Sequence, residues 1–426
     1  MKKNALLSAL ICVTIVASIF GAENVFAQLT ARGVGMGGAY TALARGAHAP
    51  AWNPANLGLP DNPQGLSMDI FSVGAQLSNN SFTKSMYDQY NGKYWDTQTV
   101  TDILDHVPSN GLAVDLDVAM NFLSFSYGRF AMTLGASGGG FLKMDKTIFD
   151  LVLKGNELNK TYTLKNADGE SMAVGYLGLS WGQPVEVDFV EHLSIGWTTY
   201  LLQGIAYGHL DDSDVLVKTT QAGFDLDGSY QASSGLGNLG VGIDLGAAAQ
   251  INEQWAASLC LANLFSRITW NKKNKTNYGY FGGESLAVLD FSDEDEKDDF
   301  QDSTWTEEGH DLSQGLPVTL RAGTTYEYED FVFTADYVQG FSRRMWTVTT
   351  PQLALGTEWR RVHWLPLRIG FAAGGNVGFG TSFGLGIRPG RFVFDLGMMN
   401  RGFVTSGGSK GLFLAVDIGV NLSRVR

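Results

Sequence analysis

Two short stretches carry residue types whose spacing could do chemistry. Within ARGVGMGGAYTALARGAHAPAWNPANLGLP (31–60), Gly33, Gly35 and Gly38 satisfy G-x-G-x-x-G, the pattern of a loop that cradles a pyrophosphate. Gly135-Ala136-Ser137-Gly138-Gly139 satisfies G-x-S-x-G, the pattern of a hydrolase nucleophile elbow. Both depend on context. A phosphate loop follows a buried strand and has an acidic ribose partner about 20 residues on. Here an apolar leader precedes the glycines and no acidic residue stands at that spacing. The elbow needs a strand-to-helix turn and a histidine partner, whereas Ser137 sits inside a Gly-rich, strand-like run. His48, His106, His192, His209, His310 and His363 show no metal-ligand spacing. The acidic run FSDEDEKDDFQDSTWTEEGHD lacks the glycine that a calcium loop requires and reads as a solvated loop. No acid, base and nucleophile converge, so neither an enzyme, nor a cofactor, nor a metal centre is expected.

The elements around these residues point elsewhere. Lys2 and Lys3 precede an apolar stretch from Leu6 to Phe20, with Val25 and Ala27 at the −3 and −1 positions of a cleavage site. This is the layout of a secretory signal peptide over residues 1–27. The whole chain has a net charge of −13, which argues against a nucleic-acid partner. Cys12 lies in the leader, so Cys260 is the one thiol that follows it and an internal disulfide is excluded. With 53 Gly, 25 Phe, 15 Tyr and 10 Trp, and without a run of 18 apolar residues after Phe20, the composition fits a transmembrane β-barrel.

Alternation supports that class. In GLFLAVDIGVNLS, Leu412, Leu414, Val416, Ile418, Val420 and Leu422 share one face, and Asp417 and Asn421 lie on the other. The same pattern yields fourteen strands: 66–77, 115–127, 130–144, 171–182, 191–207, 237–250, 254–269, 316–327, 331–341, 352–360, 365–374, 379–388, 391–400 and 411–423. The phase slips at Ile70 and Phe71, as at a bulge. Long polar connections (78–114, 145–170, 208–236 and 270–315) lie at one end and short turns such as Gly128-Arg129 at the other. These features predict an all-β protein, an antiparallel transmembrane barrel of about 14 strands in the cell outer membrane, with outer-membrane lipid around it. The alternation also turns Arg321, Asp336, Glu358, Arg360, Arg368, Arg388, Arg391, Asp395 and Asp417 inward. Buried charges persist when paired, so a lumen charge network is expected that braces the interior and holds what lies inside it.

Residues 28–63 are too rich in Gly and Ala to make such a strand. Gly35-Met36-Gly37-Gly38-Ala39 and Asn53-Pro54-Ala55 resemble the N-terminal signature of the FadL/PorV-like outer-membrane barrel superfamily. The resemblance extends to LPVTLRAGTTYEYEDFVFTADYVQGF and FGLGIRPGRFVFDLGM. It implies a fourteen-stranded barrel over 64–426 with 28–63 folded inside as a plug, or hatch. Two features depart from the family: Arg45-Gly46-Ala47-His48 replaces an acidic pair, and the chain ends in Arg424-Val425-Arg426 rather than an aromatic residue. In the plug, Asn53 can bond nearby backbone, Pro54 can start a turn, and Trp52 is expected to face a cavity. The resemblance implies passive transport of hydrophobic small molecules. The alternative it implies is a PorV-like component of a type IX secretion system that holds secreted proteins at the cell surface.

Overall fold

In the computed structural model, residues 29–165, 167–286, 300–343, 347–402 and 407–422 are described. The expected signal peptide, 1–27, lies outside the described residues. Among the described residues, eighteen antiparallel strands form one sheet that closes on itself. They are β1 (Leu66–Asn79), β2 (Leu112–Tyr127), β3 (Phe130–Met144), β4 (Thr161–Leu164), β5 (Asp168–Val185) and β6 (His192–Thr219). There follow β7 (Phe224–Gly237), β8 (Leu239–Gln250), β9 (Trp255–Leu286), β10 (Gln301–Glu308), β11 (Leu312–Gln314) and β12 (Thr319–Tyr328). The last are β13 (Phe331–Gly340), β14 (Gln352–Trp359), β15 (Leu367–Gly374), β16 (Gly378–Ile387), β17 (Phe392–Arg401) and β18 (Gly411–Asn421).

The wall has fourteen staves. β7 and β8 are one stave interrupted at Asn238, and β10 to β12 are another, both pairing with β9. β4 is an addition that pairs with the far end of β6. The β1–β18 ladder, from Ser67↔Asn421 to Ser78↔Gly411, closes the barrel so that the sheet has no open edge. Its register shifts between Asp69 and Phe71, where the sequence phase slips.

β15 shows why these residues become wall. Ile369 and Phe371 are 54% and 50% exposed on the outside, while Arg368, Gly370 and Ala372 are buried inside. Leu353 and Leu355 on the neighbouring β14, and Leu414 and Ile418 on β18, continue the outward apolar band. Among the described residues no helix is long and apolar enough to cross a membrane.

The connections at the outer end, the end of the long ones, differ from the sequence reading. Residues 208–236 and much of 270–315 are not loops. β6 runs on to Thr219, β7 starts at Phe224, β9 reaches Leu286 and β10 answers it from Gln301. Beyond the apolar band both faces of a strand can be polar, so ladder pairing continues without the alternation that marks a wall strand. Of the acidic run, 291–299 lies outside the described residues, and 301–308 is β10, exposed along its whole length. The connection after β1 carries helices α3 (Lys84–Tyr90) and α4 (Thr97–His106), and the one after β3 carries α5 (Lys146–Lys154). Thr83, Asp96 and Asp145 cap their first turns. Two short helices precede β1: α1 (Ala31–Gly35) and α2 (Ala49–Trp52).

Candidate functional site

Residues 29–63 lie inside the barrel, nearly all buried. Thr30 caps α1 by accepting from the Gly33 N–H at 3.3 Å. Pro50 stands in the first turn of α2, and Pro54 opens a 3-10 turn (Pro54–Gly58), positions where a missing N–H costs nothing. The plug presses its backbone against the wall at inward-facing glycines. A Cβ on Gly370 would stand 2.2 Å from the Met36 carbonyl carbon, and one on Gly384 3.0 Å from the Gly35 Cα. One on Gly397 would meet the Ala31 oxygen at 2.1 Å, on Gly196 the Ala55 nitrogen at 2.3 Å, and on Gly182 the Gly58 nitrogen at 2.4 Å. Gly74 and Gly246 are filled the same way by Leu29 and Asn53. Gly37 needs to be glycine twice over, with φ at +68° and a would-be Cβ 2.8 Å from the Phe371 nitrogen. The large-apolar-against-glycine alternation of the wall therefore has a second cause: the glycine face is a seat.

Three asparagines fasten the plug. Asn53 accepts from the Ala55 N–H at 3.0 Å and donates to the wall carbonyls of Ala247 and Leu259 at 2.9 and 3.2 Å. Asn56 donates to the Thr41 and Ala44 carbonyls and accepts from Ser258 Oγ at 2.8 Å. Asn62 accepts from the Gly46 N–H and donates to the Gly128 carbonyl at 2.8 Å. Trp52 does not face a cavity as the sequence reading expects. It is 1% exposed, edge-on to Tyr40 at 5.3 Å, under the Arg321 guanidinium at 5.6 Å and against Gly33. Its indole bonds to Thr30 Oγ1, so the ring closes the plug's own core with Met36 and Leu43.

The inward charges divide into two groups. Glu358 receives three guanidinium groups, from Arg32 of the plug and from Arg360 and Arg368 of the wall. Arg368 also donates to Asp395 at 2.6 Å, with both side chains fully buried. The second group acts on plug backbone. Asp336 accepts from the N–H groups of Tyr40 and Thr41 at 3.1 and 2.8 Å, and Asp417 from that of Ala31 at 2.9 Å. Arg321 donates to the Ala51 carbonyl at 3.0 Å, Thr334 to that of Ala39 and Ser382 to that of Gly35. The irregular plug backbone can lie buried because the wall answers it group by group. Arg388, half-buried just past β16, makes no ion pair among the described residues. Arg391 departs from the expectation: it sits in the turn before β17 and is exposed, because the alternation starts one residue later than the sequence reading places it. The sequence reading also passes over Arg32, Asn56 and Asn62. Of these Arg32, a lone charge inside the glycine motif, carried the most visible signal.

Toward the outer end, above the plug, the interior changes character. Met172, Val174, Tyr176, Tyr200, Leu202, Tyr207, Ile268 and Trp270 form an inward apolar wall, joined by Leu29 and Val34 of the plug. Tyr176 and Tyr200 meet edge-on at 6.2 Å, and Tyr207 and Trp270 at 5.4 Å. A cavity of about 520 Å3 adjoins this wall at Met172 and Tyr207. Among the described residues no group of three or more His, Cys, Asp or Glu side chains could hold a metal, and Cys260 is buried in the wall.

The fold is that of the FadL-type outer-membrane barrels. The Ralstonia pickettii toluene transporter TbuX superposes with a TM-score of 0.51 at 14% identity, over 93% of this chain and 99% of that one. A Pseudomonas aeruginosa FadL homologue gives 0.52 at 12%, over 94% and 100%. The P. putida toluene transporter TodX gives 0.54 at 11%, over 94% and 100%. No curated protein matches the chain. The family model described as "Family of unknown function (DUF5723)" matches residues 54–398, and the chain belongs to that family.

Proposed function

We propose that this chain is exported by a signal peptide over residues 1–27, resides in the outer membrane and lets hydrophobic small molecules pass, with residues 28–63 as the plug that gates the route. The observation that carries the reading is the apolar wall above the plug, from Met172 to Trp270. A barrel of this class ordinarily has a polar interior. Eight large apolar side chains turned inward instead would hold a greasy solute and repel water and ions. The toluene transporters and the FadL homologue that share the fold support the same direction. The seated plug fits a gated route better than an open pore, since seat, asparagines and Glu358 together leave it fully packed.

The test is uptake of radiolabelled toluene into proteoliposomes, beside glucose as the polar control. Toluene entering faster than through protein-free vesicles, with glucose excluded, supports the reading. Equal rates with and without protein overturn it. Recovery of a stoichiometric large secreted protein with the purified barrel, and no uptake, would favour the secretion role.

A further inference from the structure

Beneath the plug, at the short-turn ends of β14 to β17, one arginine stands outside the network that holds the others. Arg32, Arg360 and Arg368 share Glu358, and Arg368 also reaches Asp395. Glu327 takes a further nitrogen of Arg360 from the exposed side. Arg388 has neither acid. It follows Ile387, the last residue of β16, and continues the inward face of Gly384 and Gly386. Its backbone N–H donates to the Trp364 carbonyl. Its guanidinium makes no hydrogen bond or ion pair among the described residues, and its Nε is buried. Yet it stands within Coulombic reach of Arg32 and Arg368, as of Asp395 and Glu358. Other donors beside it are also unanswered among the described residues. Arg368 is fully buried, and its Nη2, without a partner, lies 3.3 Å from where a Cβ on Gly386 would stand. Arg32 bonds Glu358 through Nη2, and its Nε is buried without a partner. His48 of the plug, in reach of Arg32, Arg368 and Arg388, has a buried, unpartnered Nδ1. Asp395 Oδ2 is left over as well, and reaches none of these donors. Guanidinium groups pressed together with donors unmet are costly, since a buried charge persists when it is paired and bonded.

We infer that this end of the lumen binds a small tetrahedral oxyanion of the phosphate or sulfate kind, held between Arg388 of the wall and Arg32 of the plug. A guanidinium fork takes such oxygens two at a time. A tetrahedral anion offers oxygens to forks on both sides of it. A carboxylate turns both of its oxygens one way, and chloride has no pair to offer. The anion offsets the repulsion between Arg32 and Arg388 and ties plug to wall by a second link, beside the one through Glu358. Arg32 keeps 17% of its side chain exposed and Arg360 35%, so ions reach the site from the short-turn end. The inference concerns how the plug is fastened and stands whether or not the barrel passes toluene.

The experiment is calorimetric titration of the purified full-length protein, in a non-ionic detergent and a neutral chloride buffer of constant ionic strength, with sodium phosphate, sulfate and acetate. Phosphate and sulfate bind at a single site, and acetate binds about tenfold more weakly or not at all. Arg388→Gln breaks no bond of the Glu358 cluster, so it keeps the heat-modifiable mobility of a folded barrel. It loses about tenfold or more in phosphate affinity, the worth of a charge-assisted contact. Arg361→Gln, on a nearby arginine whose side chain is 75% exposed, keeps the parent's affinity. Phosphate slows hydrogen exchange of the plug amides from 31 to 37 in the parent and leaves it unchanged in Arg388→Gln. Absence of saturable binding, acetate binding as tightly as phosphate, or equal losses in Arg388→Gln and Arg361→Gln overturns the inference. So does plug exchange indifferent to phosphate. Dimethyl phosphate, the diester core of a phospholipid headgroup, separates two sources of the same chemistry. Binding weaker than that of phosphate assigns a free anion, and equal binding assigns a lipid headgroup.

Discussion

Arg32 on the first plug helix donates to both oxygens of Glu358 on the wall, at 3.2 and 3.0 Å. Two wall arginines share the same carboxylate, so one acid holds the plug and braces the barrel together. Removing it leaves Arg368 with Asp395 alone and Arg32 with no counter-ion. Glu358→Ala is expected to lower unfolding stability by about 3 kcal/mol, the cost typical of breaking a buried pair from one side. Urea unfolding in detergent micelles, followed by tryptophan fluorescence, measures it. Arg32→Met removes only the plug's partner and is expected to cost less while loosening the plug more.

The glycine seat makes a second expectation. Gly370→Val places atoms where the Met36 carbonyl carbon lies. Overpacking in a core costs about 1–3 kcal/mol when the surroundings can relax. Here the plug can relax by lifting, so the barrel assembles but conducts. Single-channel recording in planar bilayers should show openings for Gly370→Val that the parent lacks. Gly408→Ala, which meets nothing within 4 Å, should behave as the parent does.

Asn53 ties the plug to two wall carbonyls and to its own turn. Asn53→Ala forfeits three bonds at about 1 kcal/mol each, a loss the amides of residues 54–58 should register as faster hydrogen exchange. Asn53→Asp is expected to be worse, because a carboxylate would face the carbonyls of Ala247 and Leu259 with nothing to donate.

Asp96 caps α4 by accepting from the Thr99 N–H at 2.8 Å, and that bond holds its carboxyl below the usual carboxylate range. A depressed carboxyl stabilises above its unfolded value of about 3.9 and loses that contribution as pH falls through the folded value. The first turn of α4 should therefore stay capped at neutral pH and fray only in acid. Thr99 amide exchange against pH measures this, and Asp96→Ala should show the frayed rate at every pH.

The barrel is legible in the sequence because a wall with an apolar outside and a packed inside enforces a period of two, which Ile369, Phe371, Leu414 and Ile418 obey. Legibility ended where that constraint ends. β6 beyond Gly208 and β9 beyond Trp270 pair past the apolar band, where Asp, Ser, Asn and Lys suit either face, so nothing in their order announces a strand. The sequence reading places Arg391 inward because a period of two carries no mark of where a strand starts. The plug motif was visible, but its seat was not. Gly370, Gly384 and Gly397 look like ordinary small residues of an alternating strand until the backbone of Ala31 to Gly37 is seen lying on them. Trp52 escapes the sequence reading for a related reason: a short, Ala-rich segment gives no hint that it has a core of its own.

Asp417 touches both ends of the described chain. It stands on the final strand, accepts from Ser72 on the first, and accepts from the Ala31 N–H of the plug. The last strand thus meets the first strand and the amino end of the plug through one side chain. Closure of the cylinder and anchoring of that end share one carboxylate, so a copy unable to complete the first is also deprived of the second.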